Sequence, residues 1–99
     1  MFGIADIGLK FDIIYHLDVA KTDIPKLSPF DKDKIKKAIE EKLVVYPEMF
    51  DKPLRRSLKG YRKLRVGDHR IIYRIEGKKV KIFYIGHRSI VYQKANKRL

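Results

Sequence analysis

Residues 61–75 read Y-R-K-L-R-V-G-D-H-R-I-I-Y-R-I, which places Lys63, Arg65, Arg70 and Arg74 inside one short stretch. Gly67–Asp68 suits a two-residue hairpin turn with glycine first. Such a turn fixes register, so Val66 faces His69, Arg65 faces Arg70, Leu64 faces Ile71 and Tyr61 faces Arg74. Directly opposed residues share a face. One face then carries Leu64, Val66, His69, Ile71, Tyr73 and Ile75, a core surface. The other carries Tyr61, Lys63, Arg65, Arg70, Ile72 and Arg74. Like charges opposed across a strand pair destabilise it. A phosphate would remove that repulsion, and arginine's planar fork matches phosphate oxygens. Tyr61 on the same face could stack a base. The plain reading is a solvated basic surface screened by salt over about 8 Å.

The charge of the whole chain agrees with an anion-binding surface. The sequence has 99 residues and a net charge of +12. Residues 1–51 hold 8 Lys and Arg against 10 Asp and Glu, a net −2, whereas residues 52–99 hold 16 against 2, a net +14. Solubility does not require such segregation. It points to a polyanion, either nucleic acid or a membrane surface, or to an acidic protein partner. No window offers the roughly 20 apolar residues of a membrane span. The first ten residues lack the basic start and apolar run of a signal peptide. A cytoplasmic protein without a membrane role is expected. With no cysteine, disulfide and thiolate chemistry are absent. The three histidines, His16, His69 and His87, are scattered and no carboxylates accompany the patch, so no metal or cofactor site is expected.

The elements that hold the patch emerge from pattern. Residues 11–19 alternate Phe11, Ile13, Tyr15, Leu17 and Val19 against other residues, predicting a half-buried strand. A short helical turn comes next, near Pro25. Ser28 is an N-cap, Pro29 suits the first helical position and Asp31 the negatively favoured first turn. Ile35, Ala38, Ile39, Leu43 and Tyr46 lie on one stripe, predicting a helix over 29–45 that ends before Pro47. Three strands over 61–66, 69–76 and 79–86 complete a β-α-α-β-β-β chain. This is an α+β domain, a small antiparallel sheet with two helices on one face. The tail 88–99 is a short terminal helix or a frayed end. The second hairpin, through Gly77–Lys78, extends the basic face to Lys81. It also puts Phe83 and Ile85 there, either beneath the tail or through a register one residue out.

From Pro53–Leu54 through Gly60, "RVGDHRIIY" and "GHRSIVY", the sequence resembles the RelE/ParE superfamily of toxins from toxin–antitoxin pairs. The likeness spans 11–92 of a single domain, leaving residues 1–10 outside it, as an extra N-terminal arm or an artefact of the start site. Gly86-His87-Arg88 and Val91-Tyr92 are similar to the RelE branch. The resemblance implies a basic concave sheet surface and cleavage of mRNA in the ribosomal A site, with an antitoxin as inhibitor. It assigns Lys63, Arg65 and Arg70 to the site, Arg88 to the scissile phosphate and Tyr92 to the cut. The step from Arg88 to Tyr92 is shorter than in the familiar pattern, and Tyr61 replaces a second lysine.

On that footing the expected reaction is attack of a ribose 2′-OH on the adjacent phosphate, which requires no metal. Arg65, Arg70 and Arg88 would stabilise charge on the phosphate. Tyrosine titrates near 10 in water, about three units too high for a base at neutrality unless cations favour the phenolate. Lys63 could supply that charge, and His87 is the other proton carrier. Lys59, Arg55 and Arg56 on a loop, with Tyr61, Arg74 and Lys81, are expected RNA contacts. Two other readings stand: a ParE-like toxin that binds gyrase without cutting RNA, and a non-catalytic RNA-binding module. The basic half is expected to be masked by an acidic or amphipathic antitoxin segment.

Overall fold

A computed structural model describes residues 10–50 and 53–99. The expected arm over 1–10 lies almost wholly outside the described residues. Four strands form one mixed sheet in the order β1-β4-β3-β2. They are β1 (Asp12–Tyr15), β2 (Arg62–Val66), β3 (His69–Glu76) and β4 (Lys79–His87). Strand β1 lies parallel to β4, and the other pairs are antiparallel. Helix α1 (Pro29–Ala38) runs into a π-helical turn (Ile39–Leu43), and α2 (Val91–Arg98) closes the chain.

The first strand is shorter than its alternation predicts. The His16 ring Nδ1 accepts the Asp18 N–H at 3.0 Å, and the His16 carbonyl accepts Val19 N–H at 2.9 Å. Those bonds start a helical segment, so Leu17 is exposed and Val19 is buried. A π-helical turn (Val19–Asp23) and a 3₁₀ turn (Ile24–Lys26) come next. Helix α1 begins as its sequence dictates, with Ser28 Oγ accepting the Asp31 N–H at 3.1 Å. Ile35, Ala38, Ile39 and Leu43 are buried against the sheet, but Tyr46 is exposed. The π turn takes up an extra residue and rotates the succeeding residues off the apolar stripe.

The main core lies between these helices and one sheet face. It unites Val19, Ile35, Ile39 and Leu43 with Leu64, Val66, Ile71, Tyr73, Val80, Ile82 and Ile85. Fully buried Tyr73 donates its hydroxyl to the Pro47 carbonyl at 2.7 Å, tying the helix end to β3. The register of β2 on β3 is the one the turn implies, from Val66–His69 to Arg62–Tyr73. Gly67 and Gly77 both sit at φ +60°, the left-handed conformation required by the first position of such turns.

The register of β3 on β4 changes partway. Tyr73 pairs with Ile82 but Ile72 pairs with Tyr84, which leaves Phe83 as the extra residue of a β-bulge. Before the bulge Lys81 shares a face with Arg74. Beyond it the parity inverts, so Ile85 turns into the main core. This corrects the expectation that Ile85 stands beside the cations. Phe83 does lie on that face, under the tail. There it joins Leu58, Ile72, Tyr84, Val91 and Ala95 in a second apolar cluster, with Leu54, Tyr61 and Tyr92 against it. The second face is therefore roofed in its middle by α2 and the 53–61 loop.

Candidate active site

The Gly67–Asp68 turn gathers the arginines. Arg65 and Arg70 oppose each other one pair in from the turn, a geometry that sets Cβ atoms about 4.5–5.5 Å apart. Arg70 Nη1 donates to the carbonyls of Gly67 at 3.1 Å and His69 at 2.9 Å. Those bonds hold its guanidinium over the turn. Arg88 reaches the same turn from the end of β4, its backbone N–H donating to the Asp68 carbonyl at 2.8 Å. Its Nε lies 4.0 Å from Asp68 Oδ1, and its side chain is largely exposed. On β4, Gly86 stands directly opposite Arg70. It puts no side chain beside that guanidinium, and a Cβ there would meet Tyr84 at 2.9 Å.

Helix α2 supplies the phenol. Val91 and Ala95 are fully buried and fix one side of the helix on the sheet. Tyr92, in the first turn, then has Lys63 Nζ 5.7 Å from its ring centroid. Lys63 lies two residues from Arg65 on the same face, roughly 6.8 Å along the strand. Lys63, Arg65, Arg70, Arg88 and Tyr92 therefore share one end of one face. His87, expected with them, does not join them: beyond the bulge it pairs with His69 on the opposite face of the sheet, its Nδ1 accepting the Ser89 N–H at 3.1 Å and lying 2.8 Å from Ser89 Oγ.

The other expected contacts form a separate group. Glu76 pairs with Arg74, and with Lys81 at 2.8 Å. The hydrogen bond from Lys81, aided by the charges of Lys81 and Arg74, outweighs desolvation and holds the Glu76 carboxyl below its usual range. Tyr61 is engaged by Phe83, 4.9 Å between ring centroids, and by the Arg74 guanidinium at 5.3 Å. Its ring is packed rather than standing open for a base. Arg55, Arg56 and Lys59 are exposed on the outside of the loop whose Leu58 is buried. The apolar cluster separates this group from the turn.

Three relationships carry no local signal in the sequence. His69 and His87 are not scattered: they oppose each other across β3 and β4, with ring centroids 5.9 Å apart. Glu76 is a counter-ion reached only once the second hairpin forms. Buried Asp23 and Arg98, the penultimate residue, form a bidentate ion pair at 2.7 and 2.9 Å. Among the described residues no group of three His, Cys, Asp or Glu is placed to hold a metal ion, and no helix is long and apolar enough to cross a membrane.

A sequence profile described as the ParE toxin of the type II toxin–antitoxin system parDE matches residues 15–92. The chain belongs to this family, within the RelE/ParE superfamily of toxins. Its fold is that of solved members. The toxin–antitoxin complex RelBE2 from Mycobacterium tuberculosis contains a chain 28% identical, with a TM-score of 0.74, covering 80% of this toxin and 99% of that chain. A mutant of the Escherichia coli toxin RelE in the free state is 23% identical, with a TM-score of 0.67, covering 91% and 98%. The YoeB–YefM complex from Staphylococcus aureus contains a chain 19% identical, with a TM-score of 0.56, covering 79% and 97%. No curated protein matches significantly.

Proposed function

We propose that this toxin is an endoribonuclease that cuts mRNA in the ribosomal A site and so arrests translation. The observation that carries the reading is the meeting of Lys63, Arg65, Arg70 and Arg88 with Tyr92 at one end of the sheet. In the reaction the ribose 2′-oxygen bonds to phosphorus and the bond from phosphorus to the 5′-oxygen breaks. The 2′ proton passes to a base and the 5′-oxygen gains a proton, leaving a 2′,3′-cyclic phosphate and a 5′-OH. Arg65, Arg70 and Arg88 stabilise the charge that builds on the phosphate. Tyr92 is the base, with the Lys63 ammonium beside its ring. This chemistry requires no metal or cofactor.

The likeness to a toxin–antitoxin complex supports an antitoxin partner that masks the basic half. The profile match favours one competing reading, a gyrase-binding toxin without nuclease activity. Mapping mRNA ends after incubation with translating ribosomes, with and without chelator, separates the two. New ends that survive chelation and vanish in Arg70→Ala and Arg88→Ala support the nuclease. Intact mRNA with inhibited supercoiling by gyrase sinks it.

A further inference from the structure

The end of α2 is fastened to the sheet by a contact outside the cationic site. Arg98 Nη1 and Nη2 donate to the two carboxylate oxygens of Asp23 at 2.7 and 2.9 Å. Nη1 also donates to the carbonyl of the bulged Phe83 at 2.9 Å. The guanidinium carbon stands 4.1 Å from the Tyr84 ring centroid, and Asp18 Oδ2 lies 3.8 Å from Nε. Asp23, 4% exposed, accepts a further bond from the Ile85 N–H at 3.0 Å.

The position of this pair explains its partners. Strand β1 ends at Tyr15, opposite Ile82, so the next edge groups of β4 have no strand beside them. The Phe83 carbonyl and the Ile85 N–H are those groups. A buried backbone group left without a partner is costly. Arg98 satisfies the carbonyl and Asp23 the N–H, so the ion pair stands in for the missing strand. Burial alone would disfavour the Arg98 charge, but the hydrogen bonds and charge of Asp23 outweigh it and raise its pKa.

Helix α2 has eight residues, too few to hold together in water without tertiary contacts. It carries Tyr92 in its first turn and Arg98 at its end. We propose that the Asp23–Arg98 pair is a latch that sets the placement of Tyr92 over Lys63, making both Asp23 and Arg98 positioning residues for the reaction. This rests on the assignment of Tyr92 to the cut. A displacement of about 1 Å in a reacting group can cost up to a hundredfold in rate. A fold needs only that α2 stay attached, which Val91 and Ala95 already ensure. Positioning needs the fork geometry, which a lysine cannot reproduce.

The test is Arg98→Lys, which keeps the charge facing buried Asp23 and removes the fork. Cleavage on mRNA-programmed ribosomes is measured in the native and Tyr92→Phe backgrounds, beside amide hydrogen exchange of the free protein. The expected result is kcat lowered on the order of tenfold at nearly constant KM with Tyr92 present, and no further loss in the Tyr92→Phe background. Exchange in α2 should quicken on the order of tenfold while β3 stays protected. Equal losses in both backgrounds, a change in KM alone, or unaltered exchange in α2 overturns the latch. Should Tyr92→Phe cut as well as the native protein, the assignment of Tyr92 fails instead, and exchange still reports on the latch.

Discussion

Arg65 and Arg70 face each other across β2 and β3 with no carboxylate of the described residues within ion-pairing distance of either. Like charges so opposed cost the fold stability, and an anion between them would remove the repulsion. Arg65 is exposed, and its side chain makes no hydrogen bond among the described residues. Arg65→Thr is therefore expected to stabilise the fold by about 0.2–1 kcal/mol at low salt. The gain should shrink as salt screens the repulsion, while cleavage falls. Thermal unfolding across a salt series checks the first part, and mapped mRNA ends the second. A variant less stable than the native protein at low salt sinks the argument.

Tyr73→Phe removes the tie between the helix end and β3. The Pro47 carbonyl is left without the 2.7 Å bond from the hydroxyl. An unsatisfied buried acceptor costs about 1–3 kcal/mol. For a domain of this size each kcal/mol lowers Tm by roughly 4–8 °C. Calorimetry reads the shift directly. An unchanged Tm would show that the acceptor finds another donor.

The first hairpin is legible in the sequence because a two-residue turn determines every pair beyond it. The same logic stops at Phe83. A bulge inserts one residue, and composition does not mark where. Ile85 therefore changes face, although β4 is a strand as its local pattern predicts. Leu17 and Tyr46 leave their stripes for related reasons, a ring nitrogen starting a helix at His16 and a π turn shifting phase after Ala38. Lys63, Arg65 and Arg70 keep their expected face because their register is set by the first hairpin, whereas His87, beyond the bulge on β4, changes face with Ile85. Asp23 and Arg98 are out of the sequence's reach, since residues so distant along the chain meet only through the complete fold.

Glu76 restrains the outer cations, and its removal should release them. In Glu76→Gln, Arg74 and Lys81 lose their carboxylate and become available to phosphate. Affinity for single-stranded RNA is expected to rise. The slope of log K against log salt should steepen by about 0.7 for each new phosphate contact. The carboxyl's pKa is lower in the folded state than in the unfolded chain. Its contribution to stability is thus complete above the unfolded value of about 4.3 and fades as pH falls through the folded one. The Tm difference between native protein and variant should therefore narrow between neutral pH and about pH 3. A difference constant over that range would mean that the ion pairs do not form in solution.

Gly86 bears on the site through what it lacks. A Cβ there would lie 2.9 Å from Tyr84 Cε1 and 3.8 Å from Val91 Cγ2, on the face that Arg70 occupies. Tyr84 is 9% exposed and carries the Arg98 guanidinium on its ring, so it has little room to yield. Overpacking of this kind costs about 1–3 kcal/mol. Gly77→Ala is the informative companion. Gly77 has φ +60° with nothing within 4 Å of the added carbon, so its cost is backbone strain of about 1 kcal/mol. Both variants should melt earlier. Only Gly86→Ala should also weaken cleavage at temperatures where both are folded, because only there does the new methyl press on Tyr84 and on Val91 of the helix that bears Tyr92. Parallel loss of activity in the two variants would mean that the space at Gly86 has no part in placing Tyr92.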